Sequence, residues 1–163
     1  MVNNAYMIVI GQIQGKIKGP VTLAGRQDSF RVHGCSYEVV SPRDPGSGLP
    51  TGKRMHKPVT VVKDIDGASP LFMRALITNE NINEVVLQFC HKDGAGRDMP
   101  YYTIRLLNAG LSGIRMLRKS DILPGAASWP SEREELSFTY QQITWKWEQG
   151  GISLTDDWKA PVV

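Results

Sequence analysis

Two cysteines, Cys35 and Cys90, stand in 163 residues. That is too few for a disulfide framework, although one bridge stays open because sequence does not set the distance between them. Histidine is scarce too: His33, His56 and His91 are the complete set. No pair has the i, i+4 spacing of a helical zinc site, and the cysteines form no CxxC. No metal or cofactor site is expected. Long apolar runs are missing, the longest being the six residues Ala5 to Ile10. A bilayer helix needs about 20. The first Lys or Arg is Lys16, after that run. A secretory leader needs a positive start before its apolar stretch, so Sec export is not expected. Charge of one sign is also lacking: 19 basic and 16 acidic residues leave a net +3, too small an excess to argue for nucleic acid.

What is present is ordinary globular material, 41% apolar and 21% charged, at a length close to the ~150 residues of one domain. Its dominant period is two, the mark of strands with one buried face. Strands are expected over Ala5 to Ile13, Phe30 to Val40, Lys57 to Ile65 and Glu84 to His91. Gly34 interrupts the second, where a bulge fits. In the third, Val59, Val61 and Ile65 share one face. A Gly-rich polar stretch, Asp93 to Asp98, reads as a hairpin loop. Pro100 to Leu107 returns from it, and Leu111 to Leu117 continues beyond a break at Asn108-Ala109-Gly110. The last long strand is Leu136 to Trp147. Its apolar residues switch from even to odd positions across Gln141-Gln142, and a strand cannot change parity without an extra residue, so a bulge is expected there. Ile152 to Leu154 reads as a short tail strand after Gly150-Gly151. One segment has helical spacing: Ser69 as cap, Pro70 at the first position, then Leu71, Phe72, Ala75 and Leu76. The fold class is mainly β, a small closed β-barrel with one α-helix and a long extended loop.

Two connections are long. Ser41 to His56 holds three prolines and three glycines and has no period; unstructured loops beyond ~12–15 residues are usually functional or disordered. It reads as an arm projecting from the barrel, with Lys53, Arg54 and Lys57 as a cationic cluster. Lys119 to Glu132 is the other.

Chemical motifs mostly fail. Gly46 to Arg54 lacks the phosphate-loop spacing: Ser47 stands where glycine is required, and Arg54 replaces the magnesium-binding hydroxyl. Asp64-Ile65-Asp66-Gly67 is an incomplete calcium loop. Asp156-Asp157 reads as solvated tail. Cys35 or Cys90 as a nucleophile would need an activating His or cation, and packing is the simpler role for both. No acid, base and nucleophile set is assembled, so the chain reads as no enzyme. Tyr101, Tyr102, Phe138, Tyr140, Trp145 and Trp147 could stack bases on a barrel face, which keeps a nucleic-acid-binding module as the alternative. Strands apolar on both parities, at Val59–Val62 and Val85–Val86, need cover on both faces. Self-association follows from that need.

Several segments, in order and over essentially the whole chain, resemble the haemolysin-coregulated protein family, Hcp, the tube protein of type VI secretion. They are SPRDPGSGLPTGKRMHKP, PVTVVKDID and ASPLFMRAL between Ser41 and Leu76; Val85 to Phe89 with Tyr101-Tyr102-Thr103-Ile104; and EELSFTYQQITWKWEQGGISLTDDW from Glu134 to Trp158. Gly11 to Gly15 and Val32 to Ser36 fit too. Lys16 to Asp28 departs, lacking the acidic, His-containing loop of other members. The resemblance implies one Hcp-like barrel domain over 1–163 that forms homohexameric rings. The rings stack into a hollow tube, driven by a contractile sheath, capped by a VgrG-type spike and able to carry small effector proteins. It implies a bacterial cytoplasmic protein secreted through that system. Some members carry C-terminal toxin domains, and five residues after Trp158 leave no room for one. On this reading Arg43, Asp44, Leu49, Lys53 and Arg54 contact the next subunit or ring, and Ser36 is a lumen candidate.

Overall fold

The computed structural model describes residues 3–118 and 132–159. Ten strands and one helix follow in the order β1 (Asn4–Gly11), β2 (Gly15–Ile17), β3 (Phe30–Ser36), β4 (Val39–Val40), β5 (Met55–His56), β6 (Val59–Asp64), α1 (Ser69–Ile77), β7 (Ile82–Lys92), β8 (Asp98–Leu117), β9 (Arg133–Trp147) and β10 (Ile152–Asp157). The sheet closes on itself. From β9 it runs through β6, β3, β1, β7 and β8 back to β9, all antiparallel. Closure removes edges and wraps one core. Inside lie Met7, Val9, Phe30, Val59, Val61, Val85, Leu87, Ile104, Leu106, Leu136, Phe138 and Ile143. The helix lays Phe72 and Ala75 onto that core. β2 hangs on β1, and β10 on the far half of β9. Among the described residues, no helix is long and apolar enough to cross a membrane.

The period of two located the long strands, while β1 ends at Gly11 instead of Ile13 and the short strands β2 and β5 carry no such signal. The second strand ends at Ser36; Val39–Val40 belongs to a separate two-stranded ribbon with Met55–His56. A register shift does fall between Val32 and Gly34. Asn108 to Gly110 does not break β8, which runs 20 residues unbroken between two long partners.

The parity switch in β9 is real but leaves no shift in its pairing with β8. Core positions on β8 also switch, from Ile104 and Leu106 to Ala109 and Leu111. Leu107 faces Gln142 and Ala109 faces Tyr140, so both strands switch at one level and stay in step. Asn108 absorbs the kink at φ 48°, and its side-chain amide donates to Gln141 Oε1 at 3.2 Å; asparagine tolerates this left-handed backbone better than most residues. The register shift in this pair lies instead between Leu111 and Gly113.

Ser69 does not cap the helix. Ala68 is the N-cap, and Ser69 is the first helical residue, with its hydroxyl donating to Glu134 Oε1 at 2.8 Å. Ile65 lies beyond the end of β6 and is exposed. Its expected place on the core face is taken by Lys63, which is 1% exposed. The Lys63 ammonium pairs with Glu134 at 2.7 Å and Asp66 at 3.2 Å. It also sits 5.1 Å over the Phe30 ring and 5.3 Å over the Phe72 ring. The second long connection, at 119–131, lies outside the described residues.

Candidate interaction surfaces

Ser41 to His56 is an arm built as a narrow hairpin. Val39 pairs with His56, Val40 with Met55, and Arg43 with Pro50 further out. At the tip, the Asp44 carboxylate accepts from the Ser47 backbone N–H and hydroxyl, each at 2.7 Å. Those two donors hold the Asp44 carboxyl below its usual range. The Asp44 N–H donates to Leu49 O, and the Gly48 N–H to Asp44 O, both at 2.8 Å. Gly48 supplies the positive φ of 71° that closes the turn. Asp44 is therefore the turn's organiser. Arg43, Leu49 and Lys53 are exposed along the arm. Leu49 leaves 65% of its surface to solvent, a cost that covering it would remove.

Arg54 differs from its neighbours because it turns back to its own chain. Its guanidinium grips both carboxylate oxygens of Asp156 and donates to Asp157 O. His56, two residues on in β5, is buried and donates from Nε2 to the same Asp156 at 2.7 Å. Asp156 is thus no solvated tail. Arg54 holds its carboxyl below the usual range, with His56 adding to the effect. Neither Asp156 nor buried His56 had a sequence signal beyond proximity in the resemblance; 100 residues separate them.

Ser36 is exposed at the end of β3. It opens a cross-strand row on the barrel's outer face: Ser36 faces Thr60, Thr60 faces Ser137, and Ser137 faces Gly113. Small uncharged side chains line that row. The cysteines are both free. Burial pushes the Cys35 thiol up to about 11 and raises Cys90 as well, the reverse of an activated nucleophile. His33 is engaged elsewhere, with Asp64 at 2.9 Å. The aromatics are dispersed by role. Phe138 and Tyr140 are buried, while Tyr102 and Trp145 pack against the core. Tyr101 and Trp147 meet edge to face at 5.8 Å.

At the hairpin end, Asp98 ties β8 to β1. It accepts from Asn4 Nδ2 at 3.1 Å and the Tyr6 hydroxyl at 2.6 Å, and pairs with Lys92 at 2.8 Å. Lys92 first, then Tyr6, brings its carboxyl down to about 2, and burial with the Asp98 bond takes Tyr6 up to about 12. A depressed carboxyl stabilises the fold above its unfolded pKa, and that contribution is lost as the pH falls toward 2. Asp98→Asn is therefore expected to destabilise the protein at neutral pH. The gap to wild type should close between pH 4 and 2 in urea unfolding curves. A gap independent of pH would contradict this.

Comparisons with known proteins agree with this architecture. The family described as "Type VI secretion system effector, Hcp" matches residues 6–147. The "Major exported protein" of Pseudomonas aeruginosa is 39% identical, with 99% of each chain covered. Among solved structures, a protein titled Hcp superposes with a TM-score of 0.89 at 23% identity, covering 98% of this chain and all of that one. The secreted protein Hcp3 from Pseudomonas aeruginosa superposes at 0.77 with 31% identity, again covering 98% of this chain and all of the other. The closed barrel, the one helix and the family match over most of the length lead to a single assignment: the chain belongs to the Hcp family of type VI secretion proteins.

Proposed function

We propose that this chain is a tube subunit. Six copies close into a ring, and rings stack into a hollow tube that a contractile sheath expels behind a VgrG-type spike, with small effector proteins in the lumen. The observation that carries this reading is the arm. It is internally hydrogen-bonded yet presents Arg43, Leu49 and Lys53 outward. An ordered, Pro-rich, exposed hairpin loses little conformational entropy when it docks. A ring closes by joining one patch to a different patch on the neighbour, and an arm projecting from each copy supplies one of the two. The row Ser36, Thr60, Ser137 and Gly113 is the lumen face in this reading. Its small polar side chains give a wall to which varied cargo does not stick tightly. Secretion through the type VI system follows from the same reading.

Light scattering behind size-exclusion chromatography tests it. A mass six times the protomer's, surviving moderate salt, is expected. Leu49→Asp combined with Arg43→Glu should reduce that mass without lowering the melting temperature. A wild-type monomer at high concentration, or a double variant that keeps the full mass, would refute the arm's role.

A further inference from the structure

The arm is held at its root by the other end of the chain. Its return strand, β5, pairs with β4, and side chains at that strand reach across to the C-terminal strand β10. On one side His56 pairs with Val39, and the Lys57 N–H donates to Glu38 O at 2.9 Å. On the other, Arg54 and His56 converge on Asp156, and Arg54 reaches Asp157 O. Below them the Tyr140 hydroxyl donates to Lys57 O at 3.1 Å. The Trp158 ring packs 5.7 Å from His56 and 6.4 Å from Tyr140. The Trp158 N–H in turn donates to Gln141 O at 2.8 Å. One carboxylate thus joins two side chains of the arm to β10, adding a charged tie to the two-residue ribbon β4–β5 and the packing of His56.

From this geometry we infer that Asp156 is a latch: by gripping Arg54 and His56 it fixes the direction of the arm, and a neighbouring copy can be engaged only while residues 156–158 are docked. The inference rests on the reading of the arm as an assembly contact. The contact is well suited to a latch. The Arg54 and Asp156 side chains are 24% and 21% exposed, shielded enough to matter and open enough to come apart. The fork of Arg54 on a carboxylate fixes orientation as well as distance. β10 itself is an edge strand whose Ile152 and Leu154 are 71% and 66% exposed. Little burial opposes its release, and anything that pulls β10 away frees the arm.

The test is hydrogen exchange at Met55, His56 and Lys57, read in the full chain carrying Leu49→Asp and Arg43→Glu so that all samples share one assembly state. Adding Asp156→Asn is expected to speed exchange there by about tenfold, the scale of a local opening made easier by one lost charge-assisted contact. Arg54→Gln should do the same. Both together should give less than the sum of the single effects, because the Arg54–Asp156 contact is common to both, while His56–Asp156 and Arg54–Asp157 O are each lost in only one. Amides of Leu87, Ile104 and Leu106 in the barrel should not change. In the otherwise wild-type chain, Asp156→Asn alone should lower the mass. Unchanged exchange at the root, exchange that rises equally in the barrel, or a full mass despite an opened root would each overturn the latch. If the arm-tip variant alone keeps its full mass, the arm reading fails, while the root-exchange comparison still decides whether Asp156 holds the arm.

Discussion

Lys63→Ala is expected to destabilise the barrel by about 3–5 kcal/mol, the range for breaking a buried ion pair from one side. The lysine is 1% exposed, and its partners Glu134 and Asp66 are 7% and 14% exposed at the side chain. The ammonium donates also to Asp64 O at 2.8 Å. Removing it strands the Glu134 carboxylate in the core wall, where Ser69 Oγ donates to it. The cost is the orphaned charge, and this separates the ion pair from simple packing. Lys63→Met with Glu134→Gln restores the volume and removes both charges, while the amide oxygen keeps the Ser69 bond. That double variant should recover much of the loss, since replacing both members of a buried pair is often near neutral, the shortfall being set by Asp66, which keeps its charge and loses the lysine. Urea midpoints measure both. A Lys63→Ala loss under about 1 kcal/mol, well short of the buried-pair range, would mean that water reaches Glu134 in the barrel wall.

Phe72→Ala is expected to cost about 3–5 kcal/mol as well, by a different mechanism, the cavity left by a fully buried ring. Phe72 is 0% exposed and packs on Phe30 with ring centroids 5.2 Å apart. It and Ala75 are the two buried residues of a helix only nine residues long. A helix shorter than ~12–15 residues has little stability of its own, so Phe72 is the anchor on which α1 depends. Hydrogen exchange should rise in α1 before it rises in β7 and β8, and equal rises would show the helix to be part of the barrel's cooperative unit. The two variants should not be additive. The Lys63 ammonium lies over the Phe72 ring, so the double variant Lys63→Ala with Phe72→Ala should lose less than the sum, by the shared cation–π contact.

Both effects arise at one place, the core face of β6. There the alternation of Val59 and Val61 predicts an apolar residue at position 63, and a lysine stands instead. The next odd apolar residue, Ile65, continues the pattern in the sequence but lies beyond the strand. A lysine is ordinarily a surface residue. Its burial became legible only with Glu134, 71 positions later, placed beside it by the pairing of Lys63 with Glu134 across β6 and β9. The same holds at the arm's root. Arg54 carries a local signal as part of a cationic cluster, and Asp156 carries none until β10 is laid against β9.

What the chain's own residues determined is what depends on near neighbours. The period of two specified where strands run, the Gly-rich segment Asp93 to Asp98 specified the hairpin between β7 and β8, and Pro70 with the spacing of Leu71, Phe72, Ala75 and Leu76 specified the one helix. These follow from backbone sterics and from which face of a short segment is apolar. The order of the motifs also named the family. Tertiary structure alone decided which strand ends meet. It kept β8 whole by switching its parity together with that of β9 at Asn108 and Gln141. It placed Lys63 against the distant carboxylate of Glu134, and it brought Asp156 to Arg54 and His56. Charges and kinks of this kind are tolerable only when a partner arrives from far along the chain, because an unpaired buried charge or an unmatched bulge would cost more than a local segment can offset.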